Sequence, residues 1–257
     1  VRTQYGDASF TIADQNAVTV NIVASVFRGM TRYADGTPAA DVFIESLMSG
    51  SELSYISAMS DRNGVYRLVG VPAGDWRLGF EDGFGLRGEA SGTFPDAASV
   101  QTRDLVLPAS GTVRGVVRDH RGQPVIGAEV YLRSSGLPFD RYETTDADGR
   151  FVAQRVAVGD LTFFARNPDT GLVATGTAVL RAEGQVVDVV LSEPETFSLS
   201  GQVLLESGEP VPDVTVSAVG PAVGPFGEFQ ASALADADGR YQFGMLPLGV
   251  IRLQLAD

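Results

Sequence analysis

Three glycines set the frame for this chain. Gly29, Gly115 and Gly201 each stand inside an alternating apolar run, Phe27-Arg28-Gly29-Met30-Thr31, Val113-Arg114-Gly115-Val116-Val117 and Leu199-Ser200-Gly201-Gln202-Val203, at two successive steps of 86 residues. Seven residues after each comes a second glycine, at Gly36, Gly122 and Gly208, followed two residues on by Pro38, Pro124 and Pro210. A third signature follows: Asp61-Arg62-Asn63-Gly64-Val65-Tyr66, Asp146-Ala147-Asp148-Gly149-Arg150-Phe151 and Asp236-Ala237-Asp238-Gly239-Arg240-Tyr241. Ten residues beyond those glycines stand Gly74, Gly159 and Gly249, each opening another apolar run. A fixed period of this size means a tandem of like units, each folding on the same plan.

Each piece of the repeat has a physical reading. Asn-Gly and Asp-Gly supply the positive φ of tight hairpins. The aromatic two residues on resumes a strand and plugs a core. Segments between turns are four to eight residues long with period-two alternation, and no window of helical length carries a helical period. Short strands at 8–12-residue spacing predict an all-β chain of tandem seven-stranded antiparallel β-sandwiches. In the second repeat the strands are expected near 111–118, 127–133, 141–146, 150–155, 160–166, 172–180 and 185–191.

The strand tally is unusual at both ends. The third repeat has only its first five strands by Asp257, and two runs, Ala8–Ala13 and Ala17–Val23, precede the first repeat. Those two runs stand in roughly the places that Ala174–Leu180 and Gln185–Leu191 hold before the third repeat. Three periods of 86 would occupy 258 residues, and the chain has 257. The expected division is therefore 1–24 as strands completing a neighbouring or preceding sandwich, 25–108 and 109–193 as complete sandwiches, and 194–257 as a sandwich without its last two strands. One sandwich is thus split between the two ends. Either the chain is a window of a longer covalent array, or the early strands of one copy complete the third sandwich of another by strand addition. The residues expected to meet are Ala8, Phe10, Ile12, Val18, Val20 and Ile22 against Ile251, Leu253 and Leu255. Junctions between repeats, such as Pro108-Ala109-Ser110 and Ser192-Glu193-Pro194-Glu195-Thr196, are short and Pro-containing, which favours a stiff rod.

Strand–Gly, then x-Gly-x-Pro, then Thr/Ser-Asp-x-Asp/Asn-Gly-x-aromatic, then a further Gly before an apolar strand resembles the carboxypeptidase regulatory-like domain. Gly122, Pro124, Gly127, Ala128, Thr145, Asp146, Asp148, Gly149, Phe151 and Gly159 carry the resemblance in the second repeat. Gly208, Pro210, Asp236, Asp238, Gly239, Tyr241 and Gly249 carry it in the third; the first repeat is looser, with Asn63 in place of the second Asp. The resemblance implies a transthyretin-like β-sandwich and is nearly silent on function. The pattern also resembles Cna-B-type surface domains, which a Lys–Asn or Lys–Asp isopeptide bond often staples; this chain has no Lys.

Composition narrows the chemistry. There is no Cys, all 19 basic residues are Arg, and His120 is the one histidine, so disulfides, thiolate catalysis and lysine Schiff bases are excluded. A net charge of −13 opposes nucleic acid and anionic membranes. No apolar run reaches the length of a membrane span. The chain opens Val1-Arg2-Thr3, which reads as a processed end or a piece of something longer. Asp61, Asn63, Asp146, Asp148, Asp236 and Asp238 resemble the start of calcium loops, but the twelfth positions are Ala157 and Pro247, so an EF-hand is rejected. These acids read first as turn formers and only weakly as metal ligands, and no catalytic residue or cofactor is expected. His120 reads as an exposed turn residue, Trp76 as a buried anchor, and 220–229 as a variable or contact loop.

The leading expectation is a non-catalytic structural protein of an extracellular or bacterial cell-surface filament, stalk or adhesin-like array, with itself or adjacent repeats as partner. The rivals are a carbohydrate- or calcium-binding module of a surface protein and an accessory segment of a peptidase.

Overall fold

The computed structural model describes residues 2–3, 6–7, 25–46, 56–70, 74–94, 100–135 and 140–256. The described chain is all-β apart from one 3-10 turn, Gly224–Phe226. A short antiparallel hairpin, β1 (Arg2–Thr3) with β2 (Gly6–Asp7), was not expected from the sequence. The first repeat forms β3 (Val26–Arg32), β4 (Phe43–Ser46), β5 (Ser57–Met59), β6 (Val65–Val69), β7 (Gly74–Glu81), β8 (Arg87–Phe94), β9 (Val100–Thr102) and β10 (Leu105–Val106). The second forms β11 (Ser110–Arg118), β12 (Glu129–Ser134), β13 (Arg141–Thr144), β14 (Arg150–Ala157), β15 (Gly159–Arg166), β16 (Val173–Leu180) and β17 (Val186–Ser192). The third forms β18 (Thr196–Gln202), β19 (Thr215–Ala222), β20 (Glu228–Leu234), β21 (Arg240–Pro247) and β22 (Arg252–Ala256).

The strands pack as two compact units. One comprises the first repeat together with Arg155–Val158 and Arg181–Gln185; the other comprises the remainder of the second repeat and the third. In the first repeat, β6 and the β9/β10 pair flank β3, and the facing sheet runs β5-β4-β7-β8. The second repeats the plan, with β14-β11-β17 facing β13-β12-β15-β16. In both, the last strand lies parallel to the first, β9 and β10 on β3 and β17 on β11, while β3–β6 and the pairings within the facing sheets are antiparallel.

The repeated turns explain the repeated residues. Gly36, Gly122 and Gly208 take φ of 85°, 78° and 87°, and the proline that follows closes an isolated bridge: Arg32 to Pro38, Arg118 to Pro124, Leu204 to Pro210. In each Asp-x-x-Gly turn the first carboxylate accepts two backbone N–H bonds. Asp146 Oδ1 receives those of Asp148 and Arg150 at 2.9 and 2.8 Å, with Asp61 and Asp236 doing the same. Just before the Asp, a buried hydroxyl pins the opposite loop. Ser60 Oγ donates to Ala39 O, and Thr145 Oγ1 donates to Val125 O and accepts from Ala128 N.

The strand glycines have a different cause. Each lies on the core face, where a Cβ has no room. Built on Gly115, it would fall 2.0 Å from the Phe151 ring; on Gly201, 2.3 Å from the Tyr241 hydroxyl; on Gly29, 1.9 Å from the Arg103 carbonyl oxygen. Gly29 faces Tyr66, and Gly201 faces Tyr241, in the antiparallel register. The missing side chain is the space that the aromatic, or what it reaches, occupies.

Candidate assembly edge on the third repeat

The third repeat holds two sheets, β18-β21 and β20-β19-β22. β18 stands where β3 and β11 stand, and β22 where β7 and β15 stand. Among the described residues, neither has the second neighbour that its counterparts have: no strand lies parallel to β18, and none lies on the outer side of β22.

The consequence for the core is measurable. In β7, Trp76, Leu78 and Phe80 face inward and are at most 5% exposed; in β15, Leu161, Phe163 and Ala165 are at most 1% exposed. The matching residues of the third repeat are Ile251, Leu253 and Leu255. Leu253 lies opposite Ala218 and Leu255 opposite Val216, both buried, so both leucines point to the core side. Yet Leu253 is 42% exposed and Leu255 61%. Ile251 is half-buried against a cluster of Val216, Ala218, Phe229, Phe243 and Leu246. That cluster also takes in Leu172, from the loop between β15 and β16 of the second repeat, a contribution that sequence reasoning missed. Ala8, Phe10, Ile12, Val18, Val20 and Ile22, expected opposite β22, lie outside the described residues.

The glycine void shows the same incompleteness from the β18 side. In the first repeat the Arg103 carbonyl of the parallel strand fills it, and Tyr66 donates to that oxygen at 2.7 Å. Tyr66 is 2% exposed, and burial, with Asp104 nearby, drives its phenol far above the usual tyrosine value. In the second repeat the Phe151 ring fills the void. In the third, the Tyr241 hydroxyl has settled there; its side chain is half-buried, and the hydroxyl has no hydrogen-bond partner among the described residues.

The remaining candidates resolve as follows. Asp61, Asp146 and Asp236 use one carboxylate oxygen to hold their turns, and Asn63, Asp148 and Asp238 supply backbone to the same turns. No three His, Cys, Asp or Glu side chains among the described residues converge as a metal group would require. Trp76 is 5% exposed with its ring edge-on to Phe27 at 4.7 Å, which rules it out as a sugar-stacking platform. The loop 220–229 makes its contact within the chain: the Phe226 ring lies 6.4 Å from Tyr131 and 5.2 Å from the Arg166 guanidinium, both in the second repeat.

His120 is an exposed turn residue, as its sequence position suggests, and its Nδ1 lies 3.7 Å from Glu193 Oε2. Glu193 is the less expected of the two. Its side chain is 1% exposed, Oε1 accepts from Asn167 Nδ2 at 2.6 Å, and Oε2 has no hydrogen bond. Glu193 occupies the place of the fully buried Leu107, each N–H donating to the strand opposite, at Arg118 O and Arg32 O. A second polar cluster joins Tyr131, Arg133 and Asp140. Arg133 grips Asp140 at 2.8 and 3.0 Å, and Tyr131 donates to Asp140 Oδ2. That hydrogen bond, with burial behind it, pushes the Tyr131 phenol up to about 12.

Residues 112–192 match the carboxypeptidase regulatory-like domain family. The match takes in nearly all of the second repeat, from β11 to the end of β17, and the same strand plan recurs on either side of it. No match was found among curated proteins. Among solved structures, the chain is 13% identical to the Bacillus anthracis TIE protein, over 91% of this chain and 45% of that one, with a TM-score of 0.31. It is 11% identical to a streptococcal ancillary pilin, over 91% and 90%, with a TM-score of 0.36. It is 12% identical to GBS52, the minor pilin of Streptococcus agalactiae, over 66% and 97%, with a TM-score of 0.41. The chain spans less than half the length of the TIE protein. No described helix is long and apolar enough to cross a membrane.

Proposed function

We propose that the chain is a non-catalytic structural module of an extracellular filament, stalk or adhesin-like array, and that strands from outside the third sandwich complete it. The carrying observation is the exposure of Leu253 and Leu255 on the core side of β22, where the equivalent residues of both other repeats are sealed. Edge chemistry supports the reading. Proteins blunt free edges with charge, Pro or bulges facing solvent. β18 carries no charged residue and no Pro, its one irregularity being a register shift between Phe197 and Leu199, and β22 carries only Arg252. Runs of the right pattern exist in the chain itself, at 8–13 and 17–23, so a second copy supplies them head to tail, or a following repeat does so in a covalent array. A head-to-tail contact of this kind does not close and grows a filament.

Sedimentation velocity across a wide concentration range tests this, with the whole chain and with a variant lacking residues 1–24. Association that depends on concentration and disappears in the shortened variant supports supply by a second copy. A monomer that binds an added peptide of sequence 8–23 supports strand addition with the donor lying in a longer array. A monomer that neither associates nor binds the peptide overturns the proposal.

A further inference from the structure

We infer that the β18 edge is a parallel-strand site for residues 17–22 of a second copy, in a register in which the Tyr241 hydroxyl donates to the Val18 carbonyl. The inference rests on the strand-addition reading and specifies its geometry.

Direction comes from the two closed repeats. The strand beside β3 and the strand beside β11 both run parallel to it. Register comes from two observations. First, the residue opposite the strand glycine is fixed: Gly115 pairs with Val189, and Arg28 with Thr102, which brings Arg103 level with Gly29. Second, a buried serine marks where one repeat passes to the next. Ser110 and Ser25 are each 2% exposed, each preceded by Ala, and each three residues beyond an aliphatic side chain, Leu107 or Ile22. Aligned on those serines, Arg103 corresponds to Val18, Leu105 to Val20 and Leu107 to Ile22. Leu105 and Leu107 are buried, so the three apolar residues of the alternating run fall on the core side. On β18 this sets Val18 opposite Gly201 and Thr19 opposite Gln202.

Tyr241 gives the register its chemical marker. Tyr66 shows what a tyrosine at this position does when the parallel strand is present: it hydrogen-bonds to the carbonyl level with the glycine. Tyr241 has the same cross-strand glycine, but its hydroxyl occupies the void where that carbonyl would sit. An arriving Val18 carbonyl displaces the hydroxyl outward and accepts its hydrogen. Phe151 shows that the ring alone suffices for folding, because it packs over Gly115 without a hydroxyl.

The absence of native cysteine makes register directly readable. Neighbouring strands lie about 4.8 Å apart, within the Cα range of about 4.4–6.8 Å that a disulfide spans. A chain carrying Gln202→Cys with Thr19→Cys is expected to form disulfide-linked oligomers under mild oxidation. Gln202→Cys with Val18→Cys, whose side chains point to opposite faces, is expected not to. Tyr241→Phe is expected to fold normally and to associate about three- to tenfold more weakly, the worth of one hydrogen bond. Association without the Gln202→Cys/Thr19→Cys link, or with the shifted link instead, overturns this register and leaves strand addition standing. Unchanged association of Tyr241→Phe overturns the role of the hydroxyl. A chain that neither associates nor binds the 8–23 peptide removes the inference together with the function it rests on.

Discussion

Replacing Leu253 and Leu255 together by Ala separates an open core from a closed one. Their exposures, 42% and 61%, amount together to roughly one whole leucine side chain left in water. Burying a leucine side chain contributes about 1.5–3 kcal/mol. If an added strand covers these residues, the double variant should associate about ten- to a hundredfold more weakly, since about 1.4 kcal/mol is one factor of ten. The cost to the isolated fold should be of similar size, about 1.5–3 kcal/mol for both residues, because only about one leucine's worth of surface is already buried. Leu78→Ala in the first repeat gives the contrast. Leu78 is fully buried, and a leucine truncated in a closed core costs about 2–5 kcal/mol by itself. Sedimentation over a concentration range reads the first quantity, and urea unfolding at low protein concentration reads the second. A loss of 5 kcal/mol or more in the monomer would show that these leucines are already packed. Association unchanged within twofold would show that nothing covers them. Either result refutes the argument from exposure.

Gly115→Ala should cost about 1–3 kcal/mol in urea unfolding, because the new methyl meets a rigid buried ring; Gly115→Ala with Phe151→Leu should recover part of the loss. Gly201→Ala should cost less, since the atom it meets is the free end of Tyr241. Tyr131 should ionise near 12 in an ultraviolet titration, and Asp140→Asn should bring it back toward the ordinary value of 10.0. The sign follows from the raised folded value: the neutral phenol's contribution to stability is complete below about pH 10 and is lost as pH rises through about 12. Asn167→Ala removes a donor to the buried Glu193 carboxylate and should destabilise the second repeat by about 1.5–3 kcal/mol, measured by urea unfolding.

Much of the fold was legible because its punctuation is local. A turn that needs positive φ announces itself as Gly64, Gly149 or Gly239, and the strands between turns then follow by alternation. The seven strands of the second repeat fall within about two residues of where spacing places them. What stayed hidden depends on partners distant in sequence. The positive φ of Asp41 and Asp213, at 53° and 57°, was foreshadowed only by Gly127 at the aligned position. Gly29, Gly115 and Gly201 were visible as a period, but their cause is a ring or carbonyl from another strand. Glu193 looked like a linker residue because its burial comes from Asn167 and His120, distant in the chain.

The third repeat shows why local pattern cannot decide closure. Its turns, its glycine and its aromatic match those of the other two, and β18, β19, β21 and β22 pair as their counterparts do. Every signal that forms a strand is therefore satisfied within the repeat. The signals that seal a sandwich are of another kind: a parallel neighbour for β18 and an antiparallel one for β22, each contributed by residues that follow in sequence in the closed repeats. Three incompletely covered side chains fall where those two strands would lie: Leu253 and Leu255 face the core side, and Tyr241 stands at the glycine void. Leu204, Leu205, Leu234, Met245, Leu248 and Val250 of this repeat are exposed as well, while Ala218, Phe243 and Leu246 are at most 4% exposed. Strand addition at both edges is the change that would bring Leu253, Leu255 and Tyr241 to the burial of their counterparts in the other two repeats.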